Sequence, residues 1–525
     1  MASIWRSKND DETDTTISAG KGNREPNNAF NADEQSHLLS RQNQEGYLSP
    51  DDPAITPYNL WSVRFLRYIS IILASLTWVW WVLTFVSIFV TPPGLNSRGP
   101  GFCSFSFASL SLNLLLIVLL FFSIPSKAAQ VTCLTLAVIL LLDMIMILSV
   151  YRIRVEEGWI GIISVIWTLL MSIWALYTDR IVSWGKHGEE ERLTGRQETR
   201  RTLFEWLAVF SSTIVLIAIT FVAFLLSCTL ILRVRDSSLN APGKMYFVDG
   251  EKYQIHLFCT PEISHDHNKT SPTVLFESGD KAFMAGMIQI AESAMQNKSI
   301  SRYCYSDRPG IGWSDNSPSP FSAGMSTNAL SEALALAGEE GPWVLVSAGV
   351  GSIYSRVFSS RHNGLISGIL MIDPLHEDLL DSLSSPRRGF KLWARGVLSP
   401  LGLEQVLGAI FKGRSREDRV YGRSAHQGGK YIRARLQESL VAASTIKSEV
   451  QSANTIQTPD VPLVIISSGI EVKKSNEWKE KQRDLSRLTS KLVGWDIVND
   501  APSEVWVTKK GRDAIEKRLK SLVET

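Results

Sequence analysis

Trp343-Val-Leu-Val-Ser347-Ala-Gly349-Val-Gly351-Ser-Ile-Tyr-Ser-Arg356 is the stretch that decides the fold of the C-terminal half of this 525-residue chain. It begins as a short apolar run of the kind that fills a strand buried on both faces. Small residues then recur at 347, 349 and 351, and Ser352–Arg361 continues in a helical pattern. Outward from this unit the same alternation repeats. Strands are expected at Met245–Val248, Tyr253–Cys259, Thr273–Glu277, Arg302–Tyr305, Trp343–Ser347, Gly368–Ile372, Pro462–Ser467 and Trp495–Val498. Helices are expected near Met284–Met295, Ser326–Leu336, Ser352–Arg361, Trp478–Leu488 and Arg512–Leu522. Short β-rich runs alternating with amphipathic helices predict a mostly parallel sheet covered on both faces.

Ahead of this region the composition changes twice. Residues 1 to about 57 are rich in Asn, Asp, Glu, Ser and Thr, with isolated hydrophobics only, which predicts a disordered tail. Within it, Glu34-Gln-Ser-His-Leu38-Leu39 has the form of an acidic dileucine sorting signal, which a cytosolic trafficking adaptor would read. Five apolar runs follow, Phe65–Val90, Phe105–Ile124, Val131–Val150, Ile160–Tyr177 and Leu207–Leu232. Each is near the ~20 residues that cross a bilayer core. Three regions are therefore expected: a tail over 1–57, a transmembrane region over 58–235 and a soluble domain over 236–525.

Charge sets the expected orientation. Arg64 and Arg67 precede the first run, and Arg180, Lys186, Arg192, Arg196, Arg200 and Arg201 follow the fourth, so the tail and that loop are expected in the cytosol. Five crossings then place the C-terminal domain in the lumen, although Arg152 and Arg154 fall on the wrong side. Two glycosylation sequons, at Asn268 and Asn297, lie in that domain and agree with the placement. An endomembrane route, secretory or vacuolar, is favoured over a mitochondrial membrane, because the acidic start is unlike a presequence. Asp143, inside the third run, is expected to make an interhelical hydrogen bond, with a transporter role for the helices as a rival reading.

A net charge of +2 says nothing about partners, but the lack of a dense Lys/Arg block and of zinc-type Cys/His spacing argues against a nucleic-acid partner or a zinc module. No metal and no cofactor are expected. The five cysteines are widely separated and are not expected to form a disulfide framework.

Several landmarks resemble the α/β-hydrolase superfamily from about Lys244 to the C-terminus. Thr273-Val-Leu-Phe-Glu-Ser-Gly279 resembles its third strand and oxyanion loop, and Tyr305-Ser-Asp307-Arg308-Pro-Gly310-Ile-Gly312-Trp-Ser314 resembles its "DRxGxGxS" turn. The segment opening at Trp343 matches the nucleophile elbow, Ile369-Leu-Met-Ile-Asp373-Pro the sixth strand, and residues 377–456 the inserted helical cap. The whole chain is also similar to fungal membrane proteins that carry this domain. The resemblance implies an eight-stranded α/β-hydrolase fold behind an α-helical transmembrane bundle.

At the elbow the nucleophile should sit between small flanks two residues away on either side. Ser347 and Gly351 are those flanks, and the tip is Gly349, which has no hydroxyl or thiol. Taking Ser347 or Ser352 as the nucleophile instead puts Leu345, or Val350 and Tyr354, where small residues are required. The base should follow the last strand in a phrase like "GAPHEVW"; here it reads Asp500-Ala-Pro502-Ser503-Glu504-Val-Trp506, with Ser503 at the histidine position. Asp373 and Glu471 are the candidate acids, each with the alternative role of turn cap or surface ion pair. His362, His376 and His426 are the substitute bases considered. Oxyanion donors around Ser278, Gly279 and Val350 are expected to persist, leaving a residual pocket for a lipid or small apolar ligand. The sequence thus points to a membrane-anchored, non-catalytic hydrolase-like domain acting in ligand binding, interaction or membrane organisation. The rivals are an active membrane-bound serine-type esterase or lipase with unorthodox residues, and a transporter.

Overall fold

The computed structural model describes residues 57–194, 202–261, 271–456 and 460–524. The sorting motif at Glu34, Leu38 and Leu39, the tail up to residue 56 and the sequon at Asn268 lie outside them.

Five helices are long and apolar enough to cross a membrane: α1 (Trp61–Phe89), α2 (Phe102–Leu120), α3 (Lys127–Ser149), α4 (Tyr151–Thr194) and α5 (Leu203–Asp236). Lipid tails are as apolar as leucine, so helices in a bilayer associate through close packing and polar contacts. Four indoles provide such contacts here. Trp80 donates to the Ser164 hydroxyl at 3.0 Å, Trp81 to Ser109 at 2.9 Å, Trp167 to Thr77 at 2.8 Å and Trp174 to Ser70 at 3.0 Å. These tryptophans are fasteners between helices. Asp143 is buried and faces Ser227 of α5, whose hydroxyl is its side-chain hydrogen-bonding partner across the two helices, as expected, while also donating to Ala223 O at 3.1 Å.

α4 begins nine residues ahead of the expected fourth run because it is two helices joined at Gly158, whose φ of 63° and ψ of −168° are not helical. Its far end continues through the basic segment expected as a loop. There Lys186 pairs with Glu190 at 3.7 Å and with Glu205 of α5 at 2.6 Å.

The C-terminal half is an eight-stranded sheet, β1 (Lys244–Val248), β2 (Tyr253–Cys259), β3 (Thr273–Glu277), β4 (Tyr303–Ser306), β5 (Trp343–Ala348), β6 (Ile366–Ile372), β7 (Leu463–Ser468) and β8 (Leu492–Val498). The order is β1-β2-β4-β3-β5-β6-β7-β8, with β2 antiparallel to both neighbours and every pair from β4 onward parallel. This is the α/β-hydrolase fold, with each expected strand present to within about three residues at either end. Alternate strand residues serve opposite faces. Phe276, Val346 and Leu370 pack against Ile290 of α6 (Ile288–Gln296) and Leu519 of α17 (Lys509–Glu524). Leu275, Leu345 and Met371 pack against Leu334 of α7 (Ala323–Ala337), Phe358 of α8 (Gly351–Arg361) and Leu485 of α16 (Asn476–Leu485).

The segment between β6 and β7 is helical: α9 (Leu380–Leu383), α10 (Pro386–Leu398), α11 (Leu403–Phe411), α12 (Arg416–Val420), α13 (Gly429–Val441) and α14 (Lys447–Ile456). A last short helix, α15 (Gly469–Lys474), follows β7. Leu392, Trp393 and Val397 of α10 pack with Ile88, Phe102 and Phe105 of the membrane helices. Leu392 and Trp393 thus rest on protein, while Phe390 and Leu398 of the same helix stay exposed.

α5 continues to Asp236, so only seven residues, Ser237–Gly243, separate it from β1. The α1–α2 connection docks against the soluble half through its backbone. Thr91 N–H donates to Ser319 O at 2.8 Å, Asn316 N–H to Arg98 O at 2.7 Å, and the Arg433 guanidinium to Gly99 O at 2.9 Å. The wrong-side arginine Arg152 belongs to this junction, where it pairs with Glu156 at 3.3 Å and donates to Trp313 O at 2.8 Å.

Candidate functional site

Gly349 occupies the turn between β5 and α8 at the carboxyl edge of the sheet, with φ of +51°. A Cβ built there would meet nothing within 4 Å, so space for a side chain exists and the left-handed backbone is the obstacle. Its flank Gly351 is required for a different reason: a Cβ would lie 2.5 Å from Ser278 O. The loop holding Ser278 and Gly279 presses against the elbow, and a Cβ on Gly279 would lie 2.9 Å from Ala348 O. The three expected oxyanion positions, Ser278, Gly279 and Val350, therefore gather around the turn. The Ser278 hydroxyl is buried without a hydrogen-bond partner. Ser352 Oγ donates to Gly349 O at 2.7 Å, and Ser347 Oγ is buried in the strand.

The loop after β6 lies alongside. Gly349 N–H donates to Ile372 O at 3.0 Å, and Leu375 N–H donates to Gly349 O at 3.1 Å. Between those residues Asp373 has φ of +43°, an uncommon conformation for a residue with a Cβ. Asp373 is buried, and its Oδ1 accepts from Ser468 N–H at 3.1 Å and Trp478 Nε1 at 3.1 Å. The Ser503 hydroxyl, arriving from the loop after β8, bonds the same carboxylate. Burial raises the pKa of Asp373 above the ordinary carboxylate value, against the hydrogen bonds from Ser468, Ser503 and Trp478. Asp373 is neither a turn cap nor part of a surface ion pair. Glu471 is the surface group, 3.6 Å from Lys474 at the start of α15.

Above the elbow the volume is filled with charge. Arg308 lies 3.4 Å from Glu277 and 3.5 Å from Glu438, covers the Tyr354 ring at 4.3 Å and donates to Gly279 O. Glu438 also accepts from the Tyr354 hydroxyl at 3.1 Å and pairs with Arg435 at 2.5 Å, which reaches Asp280 at 3.0 Å. Burial pushes the Glu277 carboxyl up to about 7, and Arg308 only partly offsets this. Cap residues Leu380, Ala442 and Ile446 pack on Val350, Ile353 and Tyr354 beside the cluster.

The histidines are engaged elsewhere. His362 bonds the Ser331 hydroxyl at 2.8 Å and stacks on Phe358, and His376 joins Asp484 at 3.0 Å. His256 was not singled out by the sequence. It is buried with Nδ1 3.1 Å from Asp307 and Nε2 against Pro242 O, tying the linker after α5 to β2 and the β4 turn. His426 faces a cavity of about 460 Å³ between the cap, the ends of the membrane helices and the loops after β3 and β4. None of Gly349, Val350, Ser278, Gly279 or Ser503 lines it. The cavity thus lies at the membrane junction and not at the elbow, where a pocket was expected.

A second feature hidden in the sequence is a disulfide between Cys259 and Cys304. The two residues face each other on the antiparallel pair β2 and β4. Their 45-residue separation says nothing until the strand order is known.

The chain is 33% identical over 531 residues to an uncharacterized protein of Schizosaccharomyces pombe, with 94% of this chain and 98% of that protein covered. It belongs to that protein's family. A family described as "Region of unknown function (DUF2417)" matches residues 25–259, the tail and the membrane helices up to β2. An uncharacterized vacuolar membrane protein of Saccharomyces cerevisiae is 26% identical over 388 residues, covering 62% of this chain and 59% of its own. Among solved structures, the Cif epoxide hydrolase from Acinetobacter nosocomialis matches 57% of this chain and 96% of its own at 15% identity, with a TM-score of 0.40. The enol-lactonase from Burkholderia xenovorans matches 54% and 100% at 14% identity and a TM-score of 0.35.

Proposed function

We propose that this protein is a multi-pass membrane protein of a vacuole-type compartment whose lumenal α/β-hydrolase-like domain binds rather than cleaves. The observation that carries the reading is the composition of the converging positions. Gly349 stands at the elbow tip, Ser503 stands where a base would be, and Asp373 is committed to Ser503, Trp478 and Ser468. The elbow tip Gly349 carries no hydroxyl or thiol to be acylated, and Ser503 is no general base near neutral pH. The buried Arg308–Glu438–Arg435 cluster fills the approach that a substrate would need. A lumenal placement is supported by the Cys259–Cys304 disulfide, which suits an oxidising compartment, and by the exposed sequon residue Asn297. The name of the budding-yeast relative supports the vacuolar membrane.

The test is direct. The purified full chain, incubated with a fluorophosphonate probe and with short- and long-chain p-nitrophenyl esters, is expected to show neither labelling nor turnover. Stoichiometric labelling of any serine that abolishes measurable ester hydrolysis sinks the non-catalytic reading.

A further inference from the structure

The 460 Å³ cavity at the membrane junction is built from both halves of the chain. Thr229, Leu232 and Arg233 of α5 contribute one side; Gln405 of α11, Arg419 and Lys430 contribute others. Seven Lys or Arg side chains line it against three carboxylates, which are Glu156, Asp236 and Asp280. Most of the cations have a carboxylate partner: Arg233 has Glu156 at 2.9 Å, and Arg419 clasps Asp236. Two do not. Among the described residues no carboxylate lies within ion-pair distance of Arg423 or Lys430. Lys430 Nζ donates to Gly312 O at 2.8 Å, one of the three hydrogen bonds that an ammonium group can donate. Burial depresses its basicity, the condition that an anion in the cavity would relieve.

The depth of the cavity is set by α11. Gly402, at its start, abuts the Thr229 side chain, and Leu401 packs with the core of the membrane bundle. From that level α11 carries Leu403, Leu407, Ile410 and Phe411 outward, the last two 68% and 78% exposed. An apolar stripe exposed beside transmembrane helices is the signature of a helix lying in the headgroup layer. Gln405 on the same helix faces the cavity. Beside that stripe, Thr229, Leu232 and Pro400 give the cavity apolar surface, and Arg423 and Lys430 give it cations with no carboxylate at ion-pair distance among the described residues.

We infer that this cavity holds the phosphate-bearing headgroup of an anionic phospholipid drawn from the surrounding leaflet. The site is separate from Gly349, Asp373 and Ser503, and it stands whether or not those positions turn over an ester. Arg423 and Lys430 bind the phosphate, the tyrosine and glutamine groups around it satisfy the remaining oxygens, and the acyl chains leave past α11.

The experiment uses the full chain, purified and delipidated in dodecyl maltoside, with thermal unfolding followed as lipid is added in mixed micelles. Dioleoyl phosphatidic acid is expected to raise the unfolding midpoint saturably, and dioleoyl phosphatidylcholine to leave it unchanged. Arg423 is exposed, so Arg423→Gln keeps the fold; it should weaken the apparent affinity about tenfold, which corresponds to ~1.4 kcal/mol. Lys430→Gln should do the same and Lys430→Arg should retain binding. Inorganic phosphate that produces the same shift, lost with the same substitutions, overturns the lipid as the source. A phosphatidic acid shift that ignores Arg423→Gln and Lys430→Gln, an equal shift with phosphatidylcholine, or no shift at all overturns the site.

Discussion

Ser503 hydrogen-bonds the carboxylate of Asp373, joining the loop after β8 to the loop after β6, the pair that the proposed reading takes for the histidine and acid positions of an α/β-hydrolase. A hydroxyl in that place keeps the architecture and removes the proton acceptor. The consequence for Gly349 is specific. The turn has room for a side chain, so Gly349→Ser pays only for its φ of +51°, about 1–2 kcal/mol. The single variant should fold, lose a few degrees of thermal stability and hydrolyse no ester. Gly349→Ser with Ser503→His places a hydroxyl, an imidazole and Asp373 in sequence and is expected to give weak turnover of p-nitrophenyl acetate. Hydrolysis by the single variant would mean that another base is already in place.

The soluble half should be most stable in mild acid. Burial raises Glu277 to about 7 and Asp315 to about 6, from ordinary values of 4.5 and 3.8. A carboxyl whose folded value is raised binds its proton more tightly when folded. Its contribution is complete below the unfolded value and is lost as pH rises through the folded one. Glu377 works oppositely: against burial, the Arg356 guanidinium holds it down to about 2, so its contribution is lost as pH falls below about 4.5. The unfolding midpoint of the full chain should therefore rise between pH 7.5 and pH 5 and turn down below about pH 4.5. Glu277→Gln should flatten the upper limb by roughly 1–3 kcal/mol. A midpoint that climbs steadily from pH 5 to pH 8 contradicts this.

The strands and the apolar helices were legible because each is written locally, in runs of one period. Trp343–Ala348 reads as a buried strand and Ile366–Ile372 as another without knowledge of their neighbours. Gly349 and Ser503 stood out through resemblance, as positions in the elbow phrase and in the phrase after the last strand. What stayed hidden depends on which loops meet. Asp373 looks like any aspartate after a strand until Ser503 and Trp478 converge on it. Arg308, Glu277, Glu438 and Arg435 come from β3, the β4 turn and α13, and their spacing carries no trace of the buried cluster. Helix α4 defeated the hydropathy reading for a different reason: its charged extensions are stabilised by partners on α5, which a window average cannot see.

Redox state and glycosylation check the orientation together. If the soluble half is lumenal, Cys259 and Cys304 should resist maleimide in denatured, unreduced protein and react after reduction. Replacing both with serine frees a 45-residue loop and should cost about 3–4 kcal/mol. Asn297 is exposed at the end of α6, so endoglycosidase treatment should shift the mobility of the protein, and Asn297→Gln should reduce or remove the shift. Both cysteines free in native membranes, with no mobility change, would place the domain on the cytosolic side.

The last prediction concerns the joint between the halves. Arg233, near the end of α5, pairs with Glu157 at 2.5 Å and Glu156 at 2.9 Å, both in the first turns of α4 ahead of the Gly158 break. Glu157 is 2% exposed, and Arg152 bonds the other Glu156 oxygen at 3.3 Å. Two guanidiniums, Arg233 and Arg152, thus balance two carboxylates, with Arg233 bridging both, at the point where the chain leaves the bundle for the sheet. Removing one partner of a buried pair strands the other charge and typically costs 3–5 kcal/mol, whereas removing both is close to neutral. Arg233→Gln should therefore sharply lower the yield of folded protein in dodecyl maltoside, and trypsin should then cut at Arg235 or Lys244, in the junction, before it cuts the sheet. Adding Glu157→Gln to Arg233→Gln removes the stranded carboxylate and should recover most of the lost stability. If the double variant is as unstable as the single one, the charge pair is not what holds the joint, and the packing of Leu230 and Leu226 against α2 and α4 carries it instead.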